Sequence, residues 1–394
     1  MVKKREMPAR GDLVDYNHSV AGHAGTMCDA DGTLFIKPCT QQELDFYNSA
    51  TADYPDFADL MPGFVGSLLL NDKADLASVE KSLPGLDSET REELAKAVQA
   101  HVAEEASEPE PAPKASVPAH KDNNGTWVPN KANKIKTDLS VVLENASHGF
   151  HRPNILDAKL GKRLWADDAP QAKKTRFDKI SAETTHGTLG FRIAGMRAYR
   201  GSLDKAELDH EDYRIYDKDY GRKSVNDANV VDAFRSFVFN PAAGITKDLG
   251  RAVASAFARE LRGVEDVIAA HESRMYSSSL LFVFEGDGER LREAIDINNN
   301  AADELESAAA PPVKANGRAS SRVDSGIALM DGDRPDDDDL DDSDADSDED
   351  GLPPIFQLKL IDFAHAEWTP GQGPDENALM GVRSLIRIFD ELAE

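Results

Sequence analysis

Apolar and polar positions along the 394-residue chain repeat with two periods. Residues 32–38, GTLFIKP, alternate, with Leu34 and Ile36 on one face and Phe35 and Lys37 on the other, as a short strand requires. TQQELDFYN follows, and Thr40 three residues before Glu43 forms a capping-box helix start. The stretch WVPNKANKIKTDLSVVLEN reads as one or two strands ending near Leu143. Val253, Phe257, Leu261 and Val264 recur at helical spacing in residues 245–270. SSSLLFVFEG and IFQLKLIDFAHA are β-rich runs. Leu379, Val382, Leu385, Ile386, Phe389 and Leu392 mark a terminal helix.

Strands and helices mix without strict βαβ alternation, which predicts an α+β fold in two lobes. Two gaps interrupt the pattern. Residues 104–125 are rich in Pro, Ala and charge, as in a disordered loop, and residues 300–350 read as a disordered insertion. The expected division is an N-lobe over 1–143 and a C-lobe over 144–394.

The net charge is −27, of which the run DGDRPDDDDLDDSDADSDED at 331–350 accounts for −12. A uniformly basic, nucleic-acid-gripping surface is therefore not expected. Two cysteines, Cys28 and Cys39, give neither a disulfide framework nor a zinc ligand set. No apolar run approaches the roughly 18 residues of a membrane span, and the charged start lacks a signal-peptide core, so a reducing intracellular setting is expected.

The candidate chemistry lies in charged residues placed among apolar ones. Lys37 on a strand, with Glu43 on the next helix, is an arrangement that can hold nucleotide phosphates; a surface lysine at a strand end is the plainer alternative. Asp362, between Ile361 and Phe363, is expected to be buried and to need a partner, either a hard cation or a structural ion pair. In PNILDAKLG, residues 153–161, Asp157 and Lys159 are two apart and share a strand face, behind a proline and before a glycine. Lys173, Lys174, Arg176 and Lys179 have helix-compatible spacing, with Arg197 further on, and such a cluster suits a polyphosphate; a solvated basic face is the alternative. There is no Walker loop and no protein-kinase H-R-D…D-F-G pair.

PNILDAKLG matches P-x-x-x-D-x-K-x-G, and SSLL at 278–281 and IDF at 361–363 follow in order. VAGH at 20–23, IKP at 36–38, ELDFY at 43–47 and LGFRIAGMRAY at 189–199 accompany them. In these motifs the chain resembles the inositol polyphosphate kinase family. The resemblance implies a kinase-like fold, with an antiparallel N-lobe sheet plus helix, a larger C-lobe sheet with helices, and ATP in the cleft between them. It implies that Asp362 carries Mg²⁺ and that Lys37 reaches the nucleotide phosphates with Glu43 as its partner. Lys159 would contact the inositol phosphate and the moving phosphate, and Asp157 would lie where nucleotide and acceptor meet. The backbone of Glu144 and Ala146 would hold the adenine edge. Ser278 and Ser279 would serve nucleotide binding, with Leu280 and Leu281 as core, and His365 would be an acceptor-phosphate ligand.

Only residues 162–188 separate the first motif from LGFR, leaving no room for the large helical insertion of the trisphosphate 3-kinases. The likeness is greatest to multikinases of fungal type, implying conversion of inositol 1,4,5-trisphosphate and tetrakisphosphates towards pentakisphosphate. A hexakisphosphate kinase is one alternative. Another is a non-catalytic nuclear cofactor working through the acidic run, whose partners would be basic nuclear or transcription-factor proteins. Location in nucleus and cytoplasm follows from the same resemblance.

Overall fold

The computed structural model describes residues 8, 13–16, 20, 25–69, 137–308 and 352–394. The expected loop at 104–125, the acidic run at 331–350 and Ala21, Gly22 and His23 of VAGH lie outside the described residues. Along the chain come β1 (Val14–Asp15), β2 (Met27–Cys28), β3 (Leu34–Pro38), α1 (Gln41–Asp53), α2 (Pro55–Asp59), β4 (Phe64–Leu69) and β5 (Leu139–Glu144). Next are β6 (Pro153–Leu160), α3 (Gln171–Ala182), α4 (His186–Leu189), β7 (Phe191–Tyr199), β8 (Tyr213–Tyr216), α5 (Val230–Val238) and α6 (Lys247–Ala270). The chain closes with β9 (Ser273–Met275), β10 (Ser279–Glu285), α7 (Gly288–Ala308), β11 (Phe356–Ile361), β12 (Ala366–Trp368) and α8 (Glu376–Ala393).

The first sheet has the order β1-β2-β3-β5-β4 and the second β11-β10-β6-β7-β8, with β12 and β9 as a separate pair. Each pairing is antiparallel. This is the expected two-lobed α+β fold. In β3, Leu34 and Ile36 are buried and Lys37 points the other way. Thr40 Oγ1 accepts the Glu43 N–H and caps α1. The Glu43 carboxylate does not turn back to close the capping box; Lys37 and the Phe363 N–H claim it instead.

The second sheet packs its back face on α6 and α8. Leu280, Phe282 and Phe284 of β10 are fully buried there. The Phe282 ring stacks on Phe389 at 5.2 Å and meets Phe257 edge-on at 5.2 Å. Each such ring contributes about 1.5–3 kcal/mol by burial alone. The front face, carrying Asp157 and Lys159, looks into the cleft. Aromatic contacts fasten the lobes, with Phe46 of α1 stacked on Phe363 at 5.0 Å and on Trp368 at 4.8 Å. The Leu360 N–H also donates to the Leu60 carbonyl at 2.7 Å.

Residues 300–308 depart from the expected insertion and belong to helix α7. Leu291, Ile295 and Asn298 of that helix are buried, and the Asn298 amide donates to the Pro353 carbonyl at 3.0 Å. That docked first half offsets the nucleation cost of the small, polar second half.

Candidate active site

Two strand ends meet across the cleft. Lys37 Nζ donates to Glu43 Oε1 at 2.7 Å and to Asp362 Oδ1 at 2.6 Å. Asp362 Oδ2 lies 3.6 Å from Lys159 Nζ, so one carboxylate joins the lysines of both lobes. Burial opposes the Lys37 charge, but Asp362 and Glu43 outweigh it and hold the amine protonated. Asp362 is not buried as expected; its side chain is 28% exposed. The strand ends before it, and its φ of 68° turns the carboxylate towards the cleft. Aspartate is among the few residues that adopt this left-handed conformation readily, and such strain concentrates at functional sites.

Asp157 and Lys159 share the cleft face of β6, opposite Leu281 and Ser279 of β10. Asp157 is buried, and its Oδ1 has no hydrogen-bond partner among the described residues. Burial pushes its pKa up to about 6, with Asp362 adding to the rise and Lys159, Ser279 and Arg192 opposing it. Lys159 Nζ donates to the Ser277 carbonyl at 2.6 Å and to Ser279 Oγ at 3.3 Å. Arg192, paired with Lys159 in the β6–β7 register, is the basic residue that sequence reasoning passed over. Its signal was a charge inside FRIAGMRAY, a strand buried along its whole length. Gly161 has φ 94°, and its N–H donates to the Gly190 carbonyl at 2.7 Å, which accounts for a glycine at the end of β6.

A cavity opens beside these charges. Phe35, Leu143, Ile155, Leu281, Val283 and Ile361 supply an apolar slot, which Glu144, Asn145, Ala146 and Ser147 also line. Lys37, Asp157 and Asp362 line the same cavity. Glu144 and Ala146, expected at the adenine edge, line this cavity, although the Glu144 N–H is committed to the Gly63 carbonyl at 2.8 Å. The serines and leucines of SSLL need correction. Ser278 and Ser279 are fully buried and absent from the lining, Ser278 donating to the Met275 carbonyl and Ser279 accepting from Lys159. Leu280 is core as expected, but Leu281 lines the slot. Since β10 is apolar on both faces, alternation alone does not reveal which face meets the cavity.

The basic cluster is not one surface. On α3, Lys173 Nζ lies 3.3 Å from His365 Nε2, facing the site. Lys174 instead donates to the Asp167 carbonyl at 2.7 Å, Arg176 lies over the Phe177 ring at 5.0 Å, and Lys179 is exposed beside Glu183 at 3.8 Å. Helical spacing distributes these residues around the helix. Arg197 is buried under the Tyr213 ring at 3.7 Å with Glu211 at 3.5 Å, so it is built into the sheet rather than offered to an acceptor. Burial and Lys173 both push the His365 pKa down, the first more strongly.

A family model described as inositol polyphosphate kinase matches residues 140–390. The chain belongs to the inositol polyphosphate kinase family. It is 33% identical over 393 residues to the inositol polyphosphate multikinase of Saccharomyces cerevisiae, covering 94% of this chain and 96% of that one. The Schizosaccharomyces pombe multikinase is 24% identical, with 94% of each chain covered. Mouse inositol hexakisphosphate kinase 1 is 25% identical, covering 98% of this chain and 94% of that one. The crystal structure of the S. cerevisiae multikinase with ADP and Mn²⁺ superposes with a TM-score of 0.53 at 27% identity, covering 92% of this chain and 100% of that one. This inositol polyphosphate kinase is therefore a phosphotransferase with the kinase-like fold.

The site fits both a nucleotide and a divalent cation. The slot is lined mainly by apolar side chains, as a purine requires. No cluster of three or more His, Cys, Asp or Glu occurs among the described residues. A cation here therefore depends on phosphate oxygens together with one or two carboxylates, the usual mode for Mg²⁺. Asp362, at the cleft surface, and Asp157, with its unpartnered buried oxygen, are the available donors.

Proposed function

We propose that the protein is an ATP-dependent inositol polyphosphate multikinase, carrying inositol 1,4,5-trisphosphate and inositol tetrakisphosphates towards pentakisphosphate. The observation that carries the reading is the interlobe cluster: Lys37 and Lys159 on either side of Asp362, with Asp157 beside them. In transfer, an acceptor hydroxyl oxygen bonds to the γ-phosphorus and the bond to the β–γ bridging oxygen breaks, releasing ADP. Lys37 holds the nucleotide phosphates. Lys159, on the acceptor side, offsets charge on the moving phosphoryl group. Asp157, with a pKa of about 6, is ionised at neutral pH yet basic enough to accept the hydroxyl proton. The divalent cation, which we take to be Mg²⁺ held by Asp362, neutralises phosphate charge when bound. Lys173 and His365 face each other as one acceptor-phosphate cradle.

The likeness to mouse hexakisphosphate kinase 1 over nearly the whole chain supports a second reading, a kinase that makes inositol pyrophosphates. A nuclear and cytoplasmic location rests on the resemblance to multikinases of fungal type, and basic nuclear or transcription-factor partners rest on the acidic run at 331–350. Purified protein, Mg-ATP and a panel of inositol phosphates with product positions resolved test both kinase readings. Pentakisphosphate from trisphosphate is the expected result. Pyrophosphate formed from hexakisphosphate, with trisphosphate left untouched, overturns the first reading.

A further inference from the structure

Helix α3 has an unusual problem of attachment. It carries Lys173, Lys174, Arg176 and Lys179, and Ser181 is its only fully buried residue. A helix with so little buried apolar surface is not held by the hydrophobic effect and needs other fastenings. The segment before it, residues 161–170, supplies them. Trp165 Nε1 donates to Asp178 Oδ1 at 2.6 Å, Lys174 Nζ donates to the Asp167 carbonyl and lies 4.7 Å from the Trp165 ring, and Ser181 Oγ donates to the Lys162 carbonyl at 2.6 Å. The segment is itself pinned from the other side. The Arg163 guanidinium lies 3.9 Å from the Trp165 ring centre and 4.7 Å from that of Tyr276. The Arg163 backbone exchanges two hydrogen bonds with the Asn377 amide of α8, at 2.8 and 3.0 Å. Ser277 Oγ donates to the Leu164 carbonyl at 3.0 Å, while the Ser277 carbonyl accepts from Lys159.

The segment therefore touches the immediate support of both acceptor-side lysines. It holds the helix that sets Lys173 opposite His365, and it braces the turn that orients Lys159. We infer that Arg163 and Trp165 are positioning residues for the acceptor: their cation–aromatic stack fixes α3, and through it the width of the Lys173–His365 cradle. The inference rests on the acceptor assignment made above. None of these contacts reaches the purine slot, so the nucleotide should not sense their loss.

The test is steady-state kinetics of the full chain with Mg-ATP and inositol 1,4,5-trisphosphate, for wild type, Trp165→Ala, Trp165→Phe and Asp178→Ala. Trp165→Ala is expected to raise the acceptor KM about tenfold and leave the ATP KM within about twofold, the pattern of a lost positioning contact on one substrate only. Trp165→Phe keeps a ring under Arg163 and recovers most of the affinity. Asp178→Ala, which removes one exposed partner, raises the acceptor KM about two- to threefold and keeps the test valid if the alanine variant misfolds. The protein has three tryptophans, so subtracting Trp165→Phe emission from that of wild type isolates Trp165. That component should shift on adding trisphosphate and not on adding ATP. An active wild type whose Trp165→Ala variant keeps its acceptor KM, or loses both substrates equally, overturns this inference alone. A wild type that phosphorylates no inositol phosphate overturns the functional reading instead.

Discussion

Lys37 Nζ and Asp362 Oδ1 lie 2.6 Å apart across the interlobe cleft, though 325 positions separate them in the chain. The contact joins the first sheet to the second at the point where nucleotide phosphates would sit. Glu43 anchors it from the N-lobe by accepting from Lys37 and from the Phe363 N–H, at 2.7 and 3.2 Å. The amine and the carboxylate thus hold each other ready for the nucleotide phosphates and the cation, and the site is preorganised rather than assembled on binding.

Replacing Asp362 with asparagine should abolish that charge while preserving shape. Asparagine tolerates φ of 68° nearly as well as aspartate, so backbone strain is not added. The expected loss is at least about 100-fold in kcat. Near-wild-type turnover at saturating Mg²⁺, with an unchanged melting temperature, would remove Asp362 from the cation role.

Asp157 gives a pH dependence with a defined sign. Its folded pKa of about 6 lies above the ordinary 3.8 of an aspartate, so the folded state binds the proton more tightly than the unfolded chain. Stability from this group is present below about pH 4 and is lost as pH rises through about 6. Activity runs oppositely, because the ionised form accepts the proton. The pH–rate profile should fall on its acid side with an apparent pKa near 6. Asp157→Asn should be inactive, yet melt higher than wild type at pH 8. An inactive variant with a lower melting temperature at that pH would show that the carboxylate's ion pairing outweighs its burial.

The charged residues of the cleft were legible because strand alternation and motif spacing both constrain them. Leu34 and Ile36 inward force Lys37 outward, and the two-residue step from Asp157 to Lys159 fixes their common face. What was not legible depended on neighbours distant in sequence. The lining role passed from Ser278 and Ser279 to Leu281 because the β6–β10 register, not local pattern, decides which side of β10 meets the slot. Arg197 looked like an acceptor residue until Tyr213 of the adjoining strand covered it. Arg192, five positions earlier, reaches the site's electrostatics because the β6–β7 pairing shifts register between Asp157 and Ala158.

His365 should report acceptor binding directly. Burial and the Lys173 ammonium hold its pKa below the ordinary 6.5, so in the free protein it is largely neutral at pH 7. A folded pKa below the unfolded value means that this group costs stability as pH falls through 6.5. A polyanion between His365 and Lys173 reverses the local field and should raise the pKa, with proton uptake on binding. Histidine NMR titrations with and without inositol trisphosphate measure this. An unshifted His365 in the saturated complex would place the acceptor elsewhere.

Gly161 and Asn377 should behave as one unit. At φ 94° an alanine is strained, and a Cβ there would fall 2.5 Å from Asn377 Nδ2. The Asn377 amide cannot retreat without releasing both of its hydrogen bonds to the Arg163 backbone. Gly161→Ala is therefore expected to cost about 2–4 kcal/mol, part from the backbone and part from the displaced amide. Asn377→Ala alone loses the two hydrogen bonds, about 1–3 kcal/mol. In the double variant the space is already cleared and the hydrogen bonds are already lost, so only the backbone strain of Gly161→Ala remains to be added. The combined loss should fall short of the sum by about 1 kcal/mol or more, a coupling that denaturant unfolding of the four proteins resolves. Strict additivity would mean that the clash is relieved by backbone movement at Gly161 and that Asn377 does not hold the end of β6.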